Sequence, residues 1–502
     1  MRDPLPHVTM IERVRRLPAA LLVALVLLLP GAAALGQTSG TTAWSQFQGD
    51  AAHSGIASSG PEPPYEEAWT FNVEPKEQEG ASAPVIADGL AITAGPDALY
   101  GVDLSSGEQR WSEPRDGPPA PPAIATDGDR TLVLFTDGRD AESAVLRAID
   151  LQTQEDAWDA PATLGAVSRT GVTVDGELAF LADGDGTVYA VDVATGTESW
   201  TAELAGEPKG PLPVAGGKVF AVPLDPDFSA LAASVVALEE SSGDVAWTYE
   251  IQPPSSFASL PAVGQGWVVV VSPSSIPNAG ELRALSTGDG SVAWSSRLSG
   301  YVSPWSAPAI ASDAVYAVDF LGGGLHSFDP AAASQIWQFQ FNERVLRSSP
   351  VALAGHVLVG LSDGSLGAVD RTTGRLVWRS SPQLGLIGHM AVTPDLVVAV
   401  RGAKDGGIVA FRHDAAGTLV DVTSPTIPRY GVIVGRWAIT FVGVGIAILV
   451  PLTLLARRFG PPVLVREEDD EAVDDDLDEE DEEGEDEEEE QDEDNDDDQS
   501  RQ

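Results

Sequence analysis

The chain has no cysteine in 502 residues. That excludes disulfides, thiolate metal sites, a cysteine nucleophile and a lipid anchor carried on cysteine. Lysine is nearly absent, standing only at 76, 209, 218 and 404, and the 29 basic residues face 76 acids, for a net charge of −47. Such a balance disfavours nucleic acid as a partner, because phosphate recognition needs clustered Lys and Arg. The six histidines, at 7, 53, 326, 356, 389 and 413, show no metal-ligand spacing. Of these, His326 and His389 read most simply as surface or channel residues. No Ser elbow, P-loop or dinucleotide fingerprint stands in a fitting context. The centre of the chain also lacks a sustained 3.6-residue period with caps, which argues against helices there.

The two ends carry different signals. Residues 1–36 read as a secretory signal: Arg13, Arg15 and Arg16, the apolar run 19–29, then small residues with Ala34 and Gly36 ahead of a cut before Gln37. An uncleaved anchor is the alternative. Residues 437–456 predict a transmembrane helix, since 438–456 are uncharged and nineteen helical residues cover about 28 Å. Arg436 and Trp437 flank one end, and Arg457 and Arg458 the other. A buried soluble helix is the competing reading. The signal sets the orientation, so the part before the span is expected outside the membrane and the tail, 457–502, in the cytoplasm. Residues 467–502 hold 26 acids and one base, leaving 50 acids against 28 bases elsewhere. That tail cannot bury a core and predicts disorder. It reads as a solvated brush, or as a strip for a basic partner or divalent cations.

The middle repeats. Tryptophans fall at 69, 111, 158, 200, 247, 294, 337 and 378, in steps of 41 to 47 residues. An acid precedes the Trp by eight in Asp103, Asp150, Asp192, Asp329 and Asp370, with Glu239 and Ser286 in the other two units. Gly107, Gly196, Gly243, Gly290 and Gly374 each lie four before a Trp, and Gln154 and Ala333 replace that glycine in two units, whose turns are expected to differ. Apolar runs of four to seven residues bounded by Asp-Gly and Gly-Gly are hairpin signals. A period in the forties built from four short strands predicts a propeller, since radial stacking hides both faces of every sheet. Counting the motif of each unit's second run gives eight blades over 65–424, preceded by a lead-in at 37–64 and followed by a linker at 425–436. Trp69 precedes the first complete unit, so "AWTFNV" (68–73) is expected to pair with the last blade, with "TLVDV" (418–422) as the competing closing strand. The indoles are expected between neighbouring sheets, the glycines at positive φ, and the aspartates capping the turns. "DGDGT" (183–187) has alternating aspartates but lies between strand runs, so it reads as a hairpin turn rather than a calcium loop. "DGPPAPPAIA" (116–125) reads as a connector between blades.

"AVDVATGTESW" (190–200), "GVDLSSGEQRW" (101–111), "AVDRTTGRLVW" (368–378) and the lead-in "WSQFQGDAAHSG" (44–55) resemble the tryptophan-docking repeats of pyrroloquinoline quinone (PQQ)-type β-propellers. The resemblance implies an all-β, eight-bladed propeller. It also spans two kinds of function: quinone dehydrogenases, and non-catalytic scaffolds such as the outer-membrane assembly propeller. The enzymes would need a catalytic aspartate and a calcium or lanthanide site, often with an adjacent cysteine pair. The cysteine pair is impossible here, and no acid matches the catalytic one. The expectation is therefore a non-catalytic, extracytoplasmic binding propeller tethered by one helix, with no cofactor. It would bind a protein or envelope polymer on a propeller face. A PQQ-dependent oxidoreductase with calcium, or a single-pass surface sensor, is the alternative. Acids converging on an open central pocket would favour catalysis, and a plugged channel would speak against it.

Overall fold

The structure, a computed structural model, describes residues 44–419 apart from 77–78, 225–232, 256–257, 383–384 and 403–405. All of these fall in the first of the chain's two units, Met1–Thr426. The signal, linker, membrane span and acidic tail read from the sequence lie outside the described residues. Eight antiparallel four-stranded sheets form the blades of the propeller. Blades 1 to 7 follow in chain order over 85–114, 123–163, 173–203, 214–250, 262–299, 309–340 and 351–379. Blade 8 takes three strands, Ile387–Val392, Leu396–Arg401 and Gly407–His413, and receives Tyr65–Asn72 as its fourth. That strand pairs antiparallel with Gly407–His413, from Tyr65 opposite His413 to Asn72 opposite Gly407. The N-terminal strand therefore closes the ring. Thr418 and Leu419 form no strand, and the rest of the competing segment is outside the described residues.

The motif explains itself in the packing. The outer-strand Trp faces a small residue on the third strand: Trp111 opposite Gly101, Trp200 opposite Ala190, Trp247 opposite Ala237, Trp294 opposite Ala284, Trp337 opposite Ser327, Trp378 opposite Ala368 and Trp69 opposite Ala410. A larger side chain there would enter the ring, as a Cβ on Gly101 already would, at 2.3 Å from Trp111. In blade 2 the outer strand is only Ala162–Thr163, and Trp158 stands in the bend before it. Six of the eight indoles are buried, while Trp247 and Trp337 are half-buried.

Five of the indoles then dock on the next blade, not on their own turn. A Cβ on Gly107, Gly196, Gly243, Gly290 or Gly374 would come within 2.5–2.6 Å of Trp69, Trp158, Trp200, Trp247 or Trp337 respectively. Those glycines have φ of 68–74°, the left-handed region that a side chain disfavours. The same five indoles donate Nε1–H to a carbonyl of the facing turn: Leu104, Val193, Glu240, Thr287 and Arg371, at 2.8–3.1 Å. The aspartate organises the turn. Asp103, Asp150, Asp192, Asp329 and Asp370 each accept one or more backbone N–H bonds from the two or three residues that follow. Burial alone would raise the Asp370 carboxyl, but the Thr373 and Thr372 donors outweigh it and hold it below the usual carboxylate range.

The two turns without glycine correct the sequence reading. Gln154 and Ala333 adopt φ of 60° and 49°, so the backbone keeps the left-handed conformation. What changes is the indole above them. Trp111 and Trp294, which face these turns, are the two repeat indoles with a buried Nε1 that has no partner. A Cβ at the docking point holds the ring off its acceptor. Two measurements follow. Trp200→Phe should lower stability more than Trp111→Phe, by about 1 kcal/mol, because only the first breaks a made bond. Ala333→Gly should raise stability by roughly 1 kcal/mol in urea denaturation, by relieving positive φ and letting Trp294 close.

Candidate functional site

Residues 44–57 form no strand of a blade but thread the centre of the ring, bonding to one inner strand after another. Trp44 exchanges backbone bonds with Ile86, and the Ser45 carbonyl accepts from Ile124 at 2.7 Å. The Gln46 amide side chain takes and gives one bond to the Val174 backbone, at 2.8 and 3.1 Å. The carbonyls of Ala51, Ala52, Ser54 and Gly55 accept from Val214, Val263, Ile310 and Ala352 at 2.7–2.9 Å. Blades 1 to 7 are visited in order. Inner strands would otherwise present unpaired edges toward the axis, and this segment satisfies them. Its tight curvature uses left-handed backbone at Gln48, Gly49, His53 and Gly55. His53 is fully buried with Nε2 3.0 Å from Thr173 Oγ1. The Phe47 ring is edge-on to both His53 and His389, with centroids 5.3 and 4.9 Å away.

Above this plug lies a funnel of about 570 Å³ with Phe47 among its lining residues. Its wall comes from the segments that lead into the inner strands. In a four-stranded meander those connections and the second-to-third hairpins share one face, and the Trp-docking turns share the other. Ala81, Pro119, Arg169, Trp305 and Arg347 each stand four residues before an inner strand, and Lys209 five before. Arg401, at the end of the second strand of blade 8, completes the cationic set. Among the described residues, no Asp or Glu lines it. Arg401 bonds the Asn72 side chain at 2.9 Å, and Lys209 pairs with Glu207. The Arg347 guanidinium lies 5.7 Å from the centroid of the exposed Trp305 ring. Burial, helped by Arg347, pushes His389 down to about 4, so the ring on the funnel wall is neutral at pH 7.

This donor set fits anions and does not fit calcium with a quinone. Calcium takes six to eight oxygen ligands, carboxylates prominent among them. Among the described residues the funnel lining offers no carboxylate, and no group of three or more His, Asp or Glu could hold a metal ion. "DGDGT" is a hairpin turn in which Asp183 accepts from the amides of Asp185 and Thr187 and from the Tyr189 hydroxyl at 2.8 Å.

None of the repeat Trp, Asp or Gly positions lines the funnel. His389 does line it, but His326 is neither a surface nor a channel residue. It is fully buried in blade 6, 3.5 Å from Asp319 and stacked on Phe328. Arg169, Lys209, Arg347 and Trp305 went unnoticed because they sit in connections of no fixed length, and Arg401 because it ends a strand. Their one shared signal is the offset of four or five before a blade's first strand, which four of them obey. The Pro-rich connector contributes Pro119 and Pro121 to the wall.

The fold and its docking turns define a PQQ-like β-propeller. The family model described as outer membrane protein assembly factor BamB matches residues 141–250, 231–382 and 281–417, and the chain belongs to that family. No curated protein matches the sequence. Among solved structures, BamB from Moraxella catarrhalis is 16% identical, with a TM-score of 0.51, covering 70% of this chain and 100% of that one. Quinohemoprotein alcohol dehydrogenase ADHIIG from Pseudomonas putida HK5 is 13% identical, with a TM-score of 0.57 and coverage of 79% and 84%. The quinohemoprotein alcohol dehydrogenase from Comamonas testosteroni is 14% identical, also with a TM-score of 0.57, covering 81% and 86%. At these identities the likeness is one of fold.

The plug makes stability pH-dependent. Burial lowers His53 to about 3. Its folded pKa thus lies below the unfolded value near 6.5, so the unfolded chain binds the extra proton, and His53's contribution is lost as pH falls below about 6.5. At pH 4.5 that loss is about 2–3 kcal/mol. His53→Gln should flatten the fall of melting temperature between pH 7.5 and 4.5, while costing some stability at pH 7.5. An unchanged slope would place the acid sensitivity elsewhere.

Proposed function

We propose that this protein is a non-catalytic, extracytoplasmic scaffold that docks a partner protein on its funnel face. The observation that carries the reading is the surface beside the mouth. Tyr301, Trp305 and Leu321 are 45%, 40% and 40% exposed, and Phe320 and Arg347 adjoin them. The Phe320 amide donates to the Tyr301 carbonyl at 2.7 Å, which ties the 300–305 connection to the 319–323 hairpin. Tyr, Trp and Arg are the residues over-represented at the energetic centres of protein interfaces. Membership of the assembly-factor family supports a protein partner over an envelope polymer. A funnel wall without carboxylates among the described residues supports the non-catalytic reading and argues against quinone and calcium as cofactors.

The remaining parts rest on sequence. Residues 1–36 export the chain, 437–456 hold it in the membrane as a single pass, and the acidic tail stays in the cytoplasm as a solvated brush. The propeller is then presented to the envelope on one stalk.

The test is photocrosslinking in cells with a benzophenone amino acid at Tyr301, at Leu321, and at Val245 beside a Trp-docking turn. A single discrete protein adduct at 301 and 321 but not at 245 is the expected outcome. Adducts of equal yield at all three positions, or polysaccharide adducts in place of protein, would overturn it.

A further inference from the structure

The funnel's charge runs against that of the protein around it. Outside the tail the chain carries 50 acids and 28 bases. Yet among the described residues the funnel lining holds Arg169, Lys209, Arg347 and Arg401 and no carboxylate. Their placement follows the symmetry of the ring. They belong to blades 3, 4, 7 and 8, and in a ring of eight, blade 3 stands opposite blade 7 and blade 4 opposite blade 8. Two opposed pairs of cations therefore flank one axis. A group on that axis meets positive charge from both sides, with a low-dielectric floor beneath that strengthens the field.

Two of the four are neutralised or held. Lys209 pairs with Glu207, and Arg401 is bonded to Asn72. Arg169 and Arg347, the exposed pair across the diameter, have no carboxylate partner among the described residues. Arg347 rests on Trp305 instead. A second observation points inward: His389, on the same wall, has a buried Nδ1 with no partner. Like charges held across a shared cavity repel, and an anion between them converts that repulsion into binding.

The acidic remainder of the propeller limits what the anion can be. A long polyanion would gain at the mouth and be repelled everywhere else. The anionic part must be short. The funnel also opens beside an apolar and aromatic surface, so the occupant must carry apolar groups next to its charges. Both properties belong to a peptide segment. Resting on the docking reading above, we infer that the funnel receives a short acidic segment of the docked protein. Two or more of its Asp or Glu side chains would reach Arg169 and Arg347, and a neighbouring apolar residue would pack on Trp305 and Phe320.

The experiment uses the full chain in detergent and a fluorescein-labelled peptide of four glutamates around one phenylalanine. Its counterpart carries four glutamines. Fluorescence polarisation should show the glutamate peptide binding at least about tenfold tighter than the glutamine peptide, weakening as salt rises. Arg169→Gln with Arg347→Gln, both at exposed positions, should remove most of that preference without moving the melting temperature. Equal binding of the two peptides, or a preference unaffected by the double variant, overturns the inference. Citrate binding more tightly than the peptide assigns the funnel to a small polycarboxylate and overturns it too. Protein adducts at Tyr301 alongside equal peptide binding would sink this inference and leave the docking reading standing. Charge-selective peptide binding with no adduct at Tyr301 or Leu321 would sink the docking reading and leave the funnel a receptor for acidic segments.

Discussion

The ring is held by an indole of one blade seated on the turn of the next. Everything in the repeat serves that contact. The small residue opposite the Trp clears space for the ring, the aspartate folds the facing turn, and the glycine at positive φ lets the ring come down onto backbone. The contact crosses a blade boundary, so a sheet with such a turn is fastened to its predecessor by a side chain it does not own. Trp69 extends the rule across the closure: it lies on the N-terminal strand, completes blade 8, and docks on Gly107 of blade 1. Trp378 has no such turn ahead of it, because the chain breaks between the third and fourth strands of blade 8. Its ring meets Tyr65 edge-on instead, at 5.0 Å between centroids. That exchange shows what the turn supplies elsewhere: a flat, narrow platform with a carbonyl aimed at Nε1.

The sequence disclosed the parts of the structure that repeat and concealed those that do not. Blade number, the docking Trp and the closing strand all follow from one spacing seen many times, and the physics of a sheet with two apolar faces leaves a propeller as its outlet. The spacing also shows where its inference ended. Gln154 and Ala333 looked like different turns, yet the fold imposes the same backbone on them and shifts the strain to the indoles above. The cationic funnel carries no such period. Arg169, Lys209 and Arg347 come from connections of unequal length, and only the closed circle sets blade 3 across from blade 7. Opposition across a ring is a property of count, which no local pattern records. His326 illustrates the converse, a polar residue in an apolar strand that a buried aspartate makes tolerable.

The central segment gives the propeller two unlike ends. Below, residues 44–57 spend the hydrogen-bonding capacity of the inner strands on themselves, and the channel is shut. Above, the same strands are preceded by side chains free to face a ligand. A channel lined with carboxylates could coordinate a cation and draw a proton from a substrate. Among the described residues this one is lined with guanidinium, ammonium, indole and proline. The acidity of the remaining surface sharpens the contrast, since a cationic well within a negative surface selects for compact, local negative charge.

The ring's manner of closing has a consequence for how the molecule is made. Its fastening strand and its central segment both lie in the first fifth of the chain, while the edge that the strand must meet is Gly407–His413. Residues 44–72, which emerge before any other blade strand, are thus the last to find their place. The early strand must wait, unpaired, for some three hundred and forty residues to form their sheets, and the segment before it cannot visit seven inner edges until seven exist. Order of manufacture and order of assembly run in opposite directions for residues 44–72, so the completed wheel is also the first state in which that segment is sheltered.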